Sequence, residues 1–286
     1  MKILIACDME GITGVVNWDQ VTPGHYEYPR FRKLMTQDAN AAIKGAYEGG
    51  ATEVVVADGH WNGTNILVEE LDSRARLNSS TSAPHSMMQG IDETVDGVIF
   101  VGYHARQGSV NAVCDHTWSS KCVANLWLND VLVGEYGLNA ALAGYFAIPI
   151  IMITGDQTAC AQAAELLGEL ETVVVKQATG RYSAECLTPE ITQRMIAEAA
   201  KRAVLNLKRG NVPEPFIVDT PVLVTVDLMS SDMADRALRI PGTQRDGNRV
   251  SIEMPDMNAA YSAFRTIYGI RSSHRSGNPY STQHTE

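Results

Sequence analysis

Residues 2–11 read KILIACDMEG, residues 53–60 EVVVADGH and residues 97–104 GVIFVGYH. In each, a short run rich in Val and Ile stops on an acid, a glycine or a histidine. Runs of this length and composition suit strands buried on both faces, as in a parallel sheet covered by helices. Residues 149–154 and 172–176 have the same character, so five strands are predicted, at 2–7, 53–57, 97–103, 149–154 and 172–176. Between the first two, residues 31–49 set Leu34, Ala39, Ala42, Ile43 and Ala46 on one stripe and stop at Gly49-Gly50, the pattern of a crossover helix.

Further helices are predicted at 156–167, which opens on Asp156, and at 189–207, which opens on Pro189 with Ile191, Met195, Ala199, Ala203 and Leu207 in register. Strands alternating with helices imply an α/β fold, a mostly parallel sheet with flanking helices in three layers. Residues 208–220 contain Gly210, Pro213 and Pro215 and read as a linker. Beyond them, strands at 221–226 and 249–254 and a helix at 257–270 suggest a smaller C-terminal α+β unit over 221–271. Residues 1–207 would then be the catalytic domain. The Ser-, His-, Asn- and Thr-rich segment 272–286 has too little to bury and is expected to be a mobile tail.

Composition narrows the partners. With 286 residues, 45% of them hydrophobic and 20% charged, the chain can bury a large core. A net charge of -10 without a cluster of Lys and Arg argues against nucleic acid. The first apolar run meets Asp8 too early for a secretory or membrane segment, so a cytoplasmic location with no membrane partner is expected. The five cysteines, Cys7, Cys114, Cys122, Cys160 and Cys186, are odd in number and form no Cys-x-x-Cys pair, which suits reduced thiols.

The polar residues fall where such a sheet binds ligands. Asp8 and Glu10 follow the first strand, Asp58 and His60 the second and His104 the third, all at the carboxyl edge. Glu135, in VGEYGLN, opens a predicted helix and adds a carboxylate. Taken singly these residues have ordinary readings: an Asx turn at Asp8, a turn cap at His60, a satisfied core histidine at His104. Together, carboxylates and imidazoles in one crevice require something positive among them. Mixed nitrogen and oxygen donors favour zinc, or manganese or cobalt, over magnesium. Five donors with three negative charges suit two divalent ions, and a carboxylate shared between them, most plausibly Asp8, would set the ions about 3.5–4 Å apart. His116 is open on this reading: a sixth ligand, a general acid or base, an oxyanion donor or a structural histidine. His25, His85, His274 and His284 fall on loops or the tail. Cys7 and Cys114 read as small buried hydrophobes rather than nucleophiles.

The strings CDMEGITGV, LMTQDANAAIKGAYEGGATEVVVADGHWNGTNI, VGYHAR, HTWS and NDVLVGEYGLNAALAGYF, in that order, resemble the DppA-like D-aminopeptidase family of zinc peptidases. The likeness is close over the first two-thirds of the chain and loose beyond. It implies a binuclear zinc centre on Asp8, Glu10, His60, His104 and Glu135, with Asp8 bridging, and a catalytic role for His116. It implies short peptides as substrates, with N-terminal D-residues such as D-Ala, and a homo-oligomer, a decamer. Two positions depart from the family pattern: Gly59 and Asp115 stand where a serine is usual. Asp115 puts a carboxylate next to His116 in sequence. Two rival functions fit parts of the same pattern, a magnesium-dependent phosphatase-like hydrolase using the Asp-x-acid-Gly loop, and a non-catalytic metal-stabilised module for peptide binding or assembly.

Overall fold

The structure of the protein, a computed structural model, describes residues 1–269. The tail expected at 272–286 and the last residues of the unit expected at 221–271 lie outside them.

In β1 (Lys2–Cys7), Ile3, Ile5 and Cys7 pack into one apolar cluster, and Leu4 and Ala6 into another. This is the two-residue period of a strand covered on both faces. The neighbours of β1 are β2 (Glu53–Asp58) and β4 (Gly97–Val101), both parallel, with Ile5 level with Val56 and Ile99. Outward lie β3 (Ala75–Asn78) on one side and β7 (Ile150–Asp156), β8 (Glu171–Gly180) and β9 (Ser183–Cys186) on the other. The order is β3-β2-β1-β4-β7-β8-β9, and β9 alone runs antiparallel to its neighbour.

One face of this sheet is covered by α1 (Tyr28–Gly49) and α4 (Pro189–Lys208), whose Ala39, Ile43, Ala199 and Ala203 meet Ile3, Val54, Ile99 and Ile151. The other face meets α2 (Glu135–Tyr145), α3 (Gln157–Leu167) and α6 (Met257–Gly269), which share a cluster with Leu4, Ala6 and Phe100. The mostly parallel sheet with helices on both faces is the α/β architecture expected from the sequence.

A second, antiparallel sheet has the order β11-β12-β10-β5-β6, formed by β5 (Val123–Leu128), β6 (Val131–Val133), β10 (Val222–Leu228), β11 (Gln244–Asp246) and β12 (Arg249–Met254). The short helix α5 (Ser231–Ala237) packs against β10 and β12. The strands at 221–226 and 249–254 therefore join a sheet begun by β5 and β6, within residues 1–207. The reason is physical: a two-stranded ribbon is marginal in water, and β10 gains a second partner by pairing with β5. Its Val222, Val224 and Val226 enter the same apolar cluster as Phe100 and Leu138 of the larger unit. Among residues 1–269, no helix is long and apolar enough to cross a membrane.

Candidate metal centre

The loop after β1 is pinned on both sides of Glu10. Asp8 N donates to Val101 O (2.8 Å) and Gly11 N to Gly102 O (2.8 Å). Glycine at position 11 is required by this approach, because a Cβ there would stand 1.9 Å from Tyr103 O. At the end of β2, Gly59 N donates to Cys7 O, and a Cβ at Gly59 would lie 2.9 Å from that same oxygen and 3.0 Å from Met87. The departure from serine at this position thus accompanies a loop packed closely on β1 and Met87. Asp58 belongs to the scaffold: its carboxylate accepts from Asn65 N, Asn65 Nδ2 and Ile66 N, which closes the loop carrying His60.

Asp8, Glu10, His60, His104, His116 and Glu135 converge at the carboxyl edge, and none is more than 7% exposed. Glu135 is the first residue of α2, where the helix dipole favours a carboxylate, and its Oε1 accepts from Trp118 N at 2.7 Å. The donors fall into two groups that share Asp8. On one side His60 Nδ1 lies 3.3 Å from Asp8 Oδ1 and 3.1 Å from Glu10 Oε2. On the other, His104 Nε2 lies 3.3 Å from Asp8 Oδ2 and 3.0 Å from Glu135 Oε1. His116 Nε2 is 3.5 Å from Glu135 Oε1 and 4.0 Å from Glu10 Oε1, and its ring stacks on His104 with centroids 3.8 Å apart.

Each imidazole is oriented by its other nitrogen. His60 Nε2 meets Val21 O (2.8 Å), His104 Nδ1 meets Ala105 O (3.0 Å) and His116 Nδ1 meets Cys114 O (2.8 Å). A backbone carbonyl only accepts, so each of these nitrogens carries the hydrogen, and in the neutral ring the lone pair of the other nitrogen faces the carboxylates. Asp8 Oδ2, Glu10 Oε2 and His104 Nε2 are buried without a hydrogen-bond partner. Buried orphans of this kind are rare unless something else satisfies them. A tetrahedral zinc site with bonds of about 2.0–2.2 Å has ligand-to-ligand edges of about 3.3–3.6 Å, close to the separations here. The donor set, mixed nitrogen and carboxylate oxygen, fits zinc better than magnesium.

The electrostatics of the protein by itself lead the same way. Burial opposes charge on Asp8, yet His104 and His60 hold its carboxyl well below the usual range. Burial likewise opposes charge on His60 and His104, but Glu10 and Asp8 push the first well above its ordinary value, and Glu135 and Asp8 the second. The same carboxylates that favour protons on these imidazoles would favour a divalent cation, which binds in competition with protons. His116 differs: burial, then the neighbouring His104, pushes it down to about 4.

The Asp115 carboxylate, next to His116 in sequence, is engaged by other groups. Its Oδ2 accepts from Gly108 N (2.6 Å), its Oδ1 faces Arg181 Nε (3.2 Å), and Arg181 Nη2 donates to its carbonyl (2.9 Å). The β8–β9 hairpin therefore grips the loop of His116, whose ring also meets the edge of Trp18 at 5.2 Å. Cys7 and Cys114 are free and buried, and burial pushes the first thiol well up and the second to about 12, which leaves no thiolate near neutrality. Sequence reading passed over Lys176, fully buried, whose Nζ donates to Glu10 O (2.6 Å) and Ile12 O (2.9 Å). A lone lysine ending the apolar run VVVK was the one available signal.

The profile of the D-aminopeptidase family matches residues 1–266. A D-aminopeptidase of Bacillus subtilis (strain 168) is 37% identical over 265 residues, 92% of this chain and 95% of that protein. The solved structure of the Zn-dependent D-aminopeptidase DppA from Bacillus subtilis, described as a self-compartmentalizing protease, superposes with a TM-score of 0.92 at 34% identity, covering 96% of this chain and 100% of that one. With the sheet, the clustered donors and this likeness along its length, the chain belongs to the D-aminopeptidase family.

Proposed function

We propose that this protein is a binuclear zinc aminopeptidase that cleaves N-terminal residues, D-residues such as D-Ala in particular, from short peptides. Asp8, Glu10, His60, His104 and Glu135 hold two zinc ions per chain, with manganese or cobalt as substitutes, and Asp8 is the shared ligand. The observation that carries the reading is the set of buried, unpartnered atoms Asp8 Oδ2, Glu10 Oε2 and His104 Nε2 beside imidazoles already oriented by backbone carbonyls. Membership of the D-aminopeptidase family supports the peptide-bond chemistry.

When bound, the ions supply Lewis acidity toward a carbonyl oxygen and a water acidified to a pKa of about 7. The chain's own part is orientation and proton handling. Val21 O and Ala105 O hold His60 and His104 in place, and Trp118 N fixes one oxygen of Glu135. His116, hydrogen-bonded through its Nδ1–H to Cys114 O, presents the Nε2 lone pair as a proton acceptor, and once it has taken a proton Nε2 can return it or donate to a developing oxyanion. The phosphatase-like alternative has less support, since it requires a lysine at a nucleophilic aspartate, and the nearby Lys176 gives hydrogens to backbone carbonyls instead.

The protein assembles as a homo-oligomer, a decamer, in the cytoplasm; the self-compartmentalizing DppA and the free cysteines support this reading. Metal analysis of the purified protein, with D-Ala and L-Ala dipeptides offered side by side, tests the whole. About two zinc ions per chain and faster release of D-Ala are expected. One ion per fully loaded chain, or no hydrolysis with zinc bound, would overturn it.

A further inference from the structure

We propose that Lys176 is a positioning residue for the metal-binding loop: its buried ammonium, seated on the carbonyls of Glu10 and Ile12, holds the segment that presents Asp8 and Glu10. The inference rests on the reading of the site given under Proposed function.

Lys176 is 1% exposed, and its two hydrogen bonds, 2.6 Å to Glu10 O and 2.9 Å to Ile12 O, both reach the loop after β1. A buried ammonium is expensive to desolvate, and an apolar side chain of similar volume would pack there without that penalty. What the apolar side chain lacks is donors. Beyond the end of β1 the chain turns away from its ladder, and carbonyls buried there need a partner from elsewhere. The loop is thus clamped from two directions, with Gly11 N on Gly102 O and the flanking carbonyls on Lys176.

The sheet is shaped to deliver this lysine. The pairing of β7 with β8 slips between Gly155 and Asp156, so Gly155 stands opposite Val174 and Asp156 opposite Lys176. The extra residue leaves Val175 and Lys176 both buried, in line with the way bulges beside active sites re-aim side chains. Asp156, the register partner of Lys176, caps α3 through Ala159 N and accepts from Val113 N, one residue before the Cys114 whose carbonyl orients His116. One bulged pair therefore reaches both the loop of Asp8 and Glu10 and the loop of His116.

The test uses the full-length protein and the variants Lys176→Met and Lys176→Gln. Zinc affinity is measured by competition with a chromophoric chelator, cobalt(II) absorption reports the ligand geometry, and circular dichroism reports the fold. Lys176→Met is expected to keep the fold and lose about 10- to 100-fold in zinc affinity, with an altered cobalt spectrum. Lys176→Gln, which retains an N–H donor pair, should recover part of the loss. Unchanged affinity and cobalt spectrum in Lys176→Met, with only a lower unfolding temperature, would make the lysine merely structural and overturn the inference. If Lys176→Met does not fold, Lys176→Gln decides: weaker zinc binding with a changed spectrum supports the inference, and wild-type values overturn it. A wild-type protein that binds no zinc would overturn the reading of the site, and this inference with it.

Discussion

Asp38, on α1, is fully buried, and its carboxylate accepts from Thr13 N (2.9 Å) and Thr13 Oγ1 (3.1 Å). Thr13 Oγ1 also lies 2.8 Å from Thr192 Oγ1, and its single hydrogen cannot serve both neighbours. An uncharged group able to donate at position 38 would complete the chain, from residue 38 to Thr13, from Thr13 to Thr192, and from Thr192 to Thr188 O. Burial is the main reason the Asp38 carboxyl is pushed up to about 6, against weaker opposition from its bonds with Thr13 and from Lys176. A carboxyl raised in the folded state contributes stability that is complete below its unfolded value, near 3.8, and is lost as pH rises through about 6. At about 1.4 kcal/mol for each tenfold change, the full loss is about 3 kcal/mol. Asp38→Asn should therefore be more stable than the wild type at pH 8. Its advantage should grow by about 1–2 kcal/mol between pH 5 and pH 8 and approach a ceiling of about 3 kcal/mol, a net figure in which the attraction of Lys176 for the carboxylate is already counted. Urea unfolding of metal-free protein at matched chain concentration, in paired measurements across that range, provides the assay. An Asn variant less stable than the wild type at pH 8, or an advantage that does not change with pH, would refute the reasoning.

Four further outcomes are expected. Asp8→Ala should lose both zinc ions, since its two oxygens serve both donor groups, while Glu10→Ala or His60→Ala should lose mainly one, as read by metal analysis after dialysis. His116→Ala should keep both ions and lose on the order of 10²-fold or more in turnover of a D-Ala dipeptide; metal depletion instead would identify His116 as a ligand. Gly11→Ala, with a Cβ 1.9 Å from Tyr103 O, should displace the loop and lower stability by about 1–3 kcal/mol or more, with weakened zinc binding, checked by thermal unfolding with and without the metal. Asp115→Asn should leave the pH–rate profile in place, because that carboxylate is engaged by Gly108 N and Arg181 rather than by the imidazole.

The amino-acid sequence by itself determined the central strands β1, β2 and β4, because burial on both faces writes a local apolar run that stops where the crevice begins. It also marked the residues that end those runs, Asp8, Glu10, His60 and His104, and the opening of α2 at Glu135, where a glycine precedes the helix. The strands β3, β5, β6, β9 and β11 escaped notice because each is short or only partly buried, and the partner of β5 is β10, about a hundred residues further on. A local pattern reports that a residue is buried, not which distant backbone group it will meet. For the same reason only the tertiary structure decided that Asp115 turns to Arg181, that each imidazole gives one nitrogen to a backbone carbonyl, and that Lys176 reaches across the sheet to Glu10 and Ile12. Side-chain direction follows from hydrogen-bond partners supplied by other segments, and those partners exist only once the chain has folded.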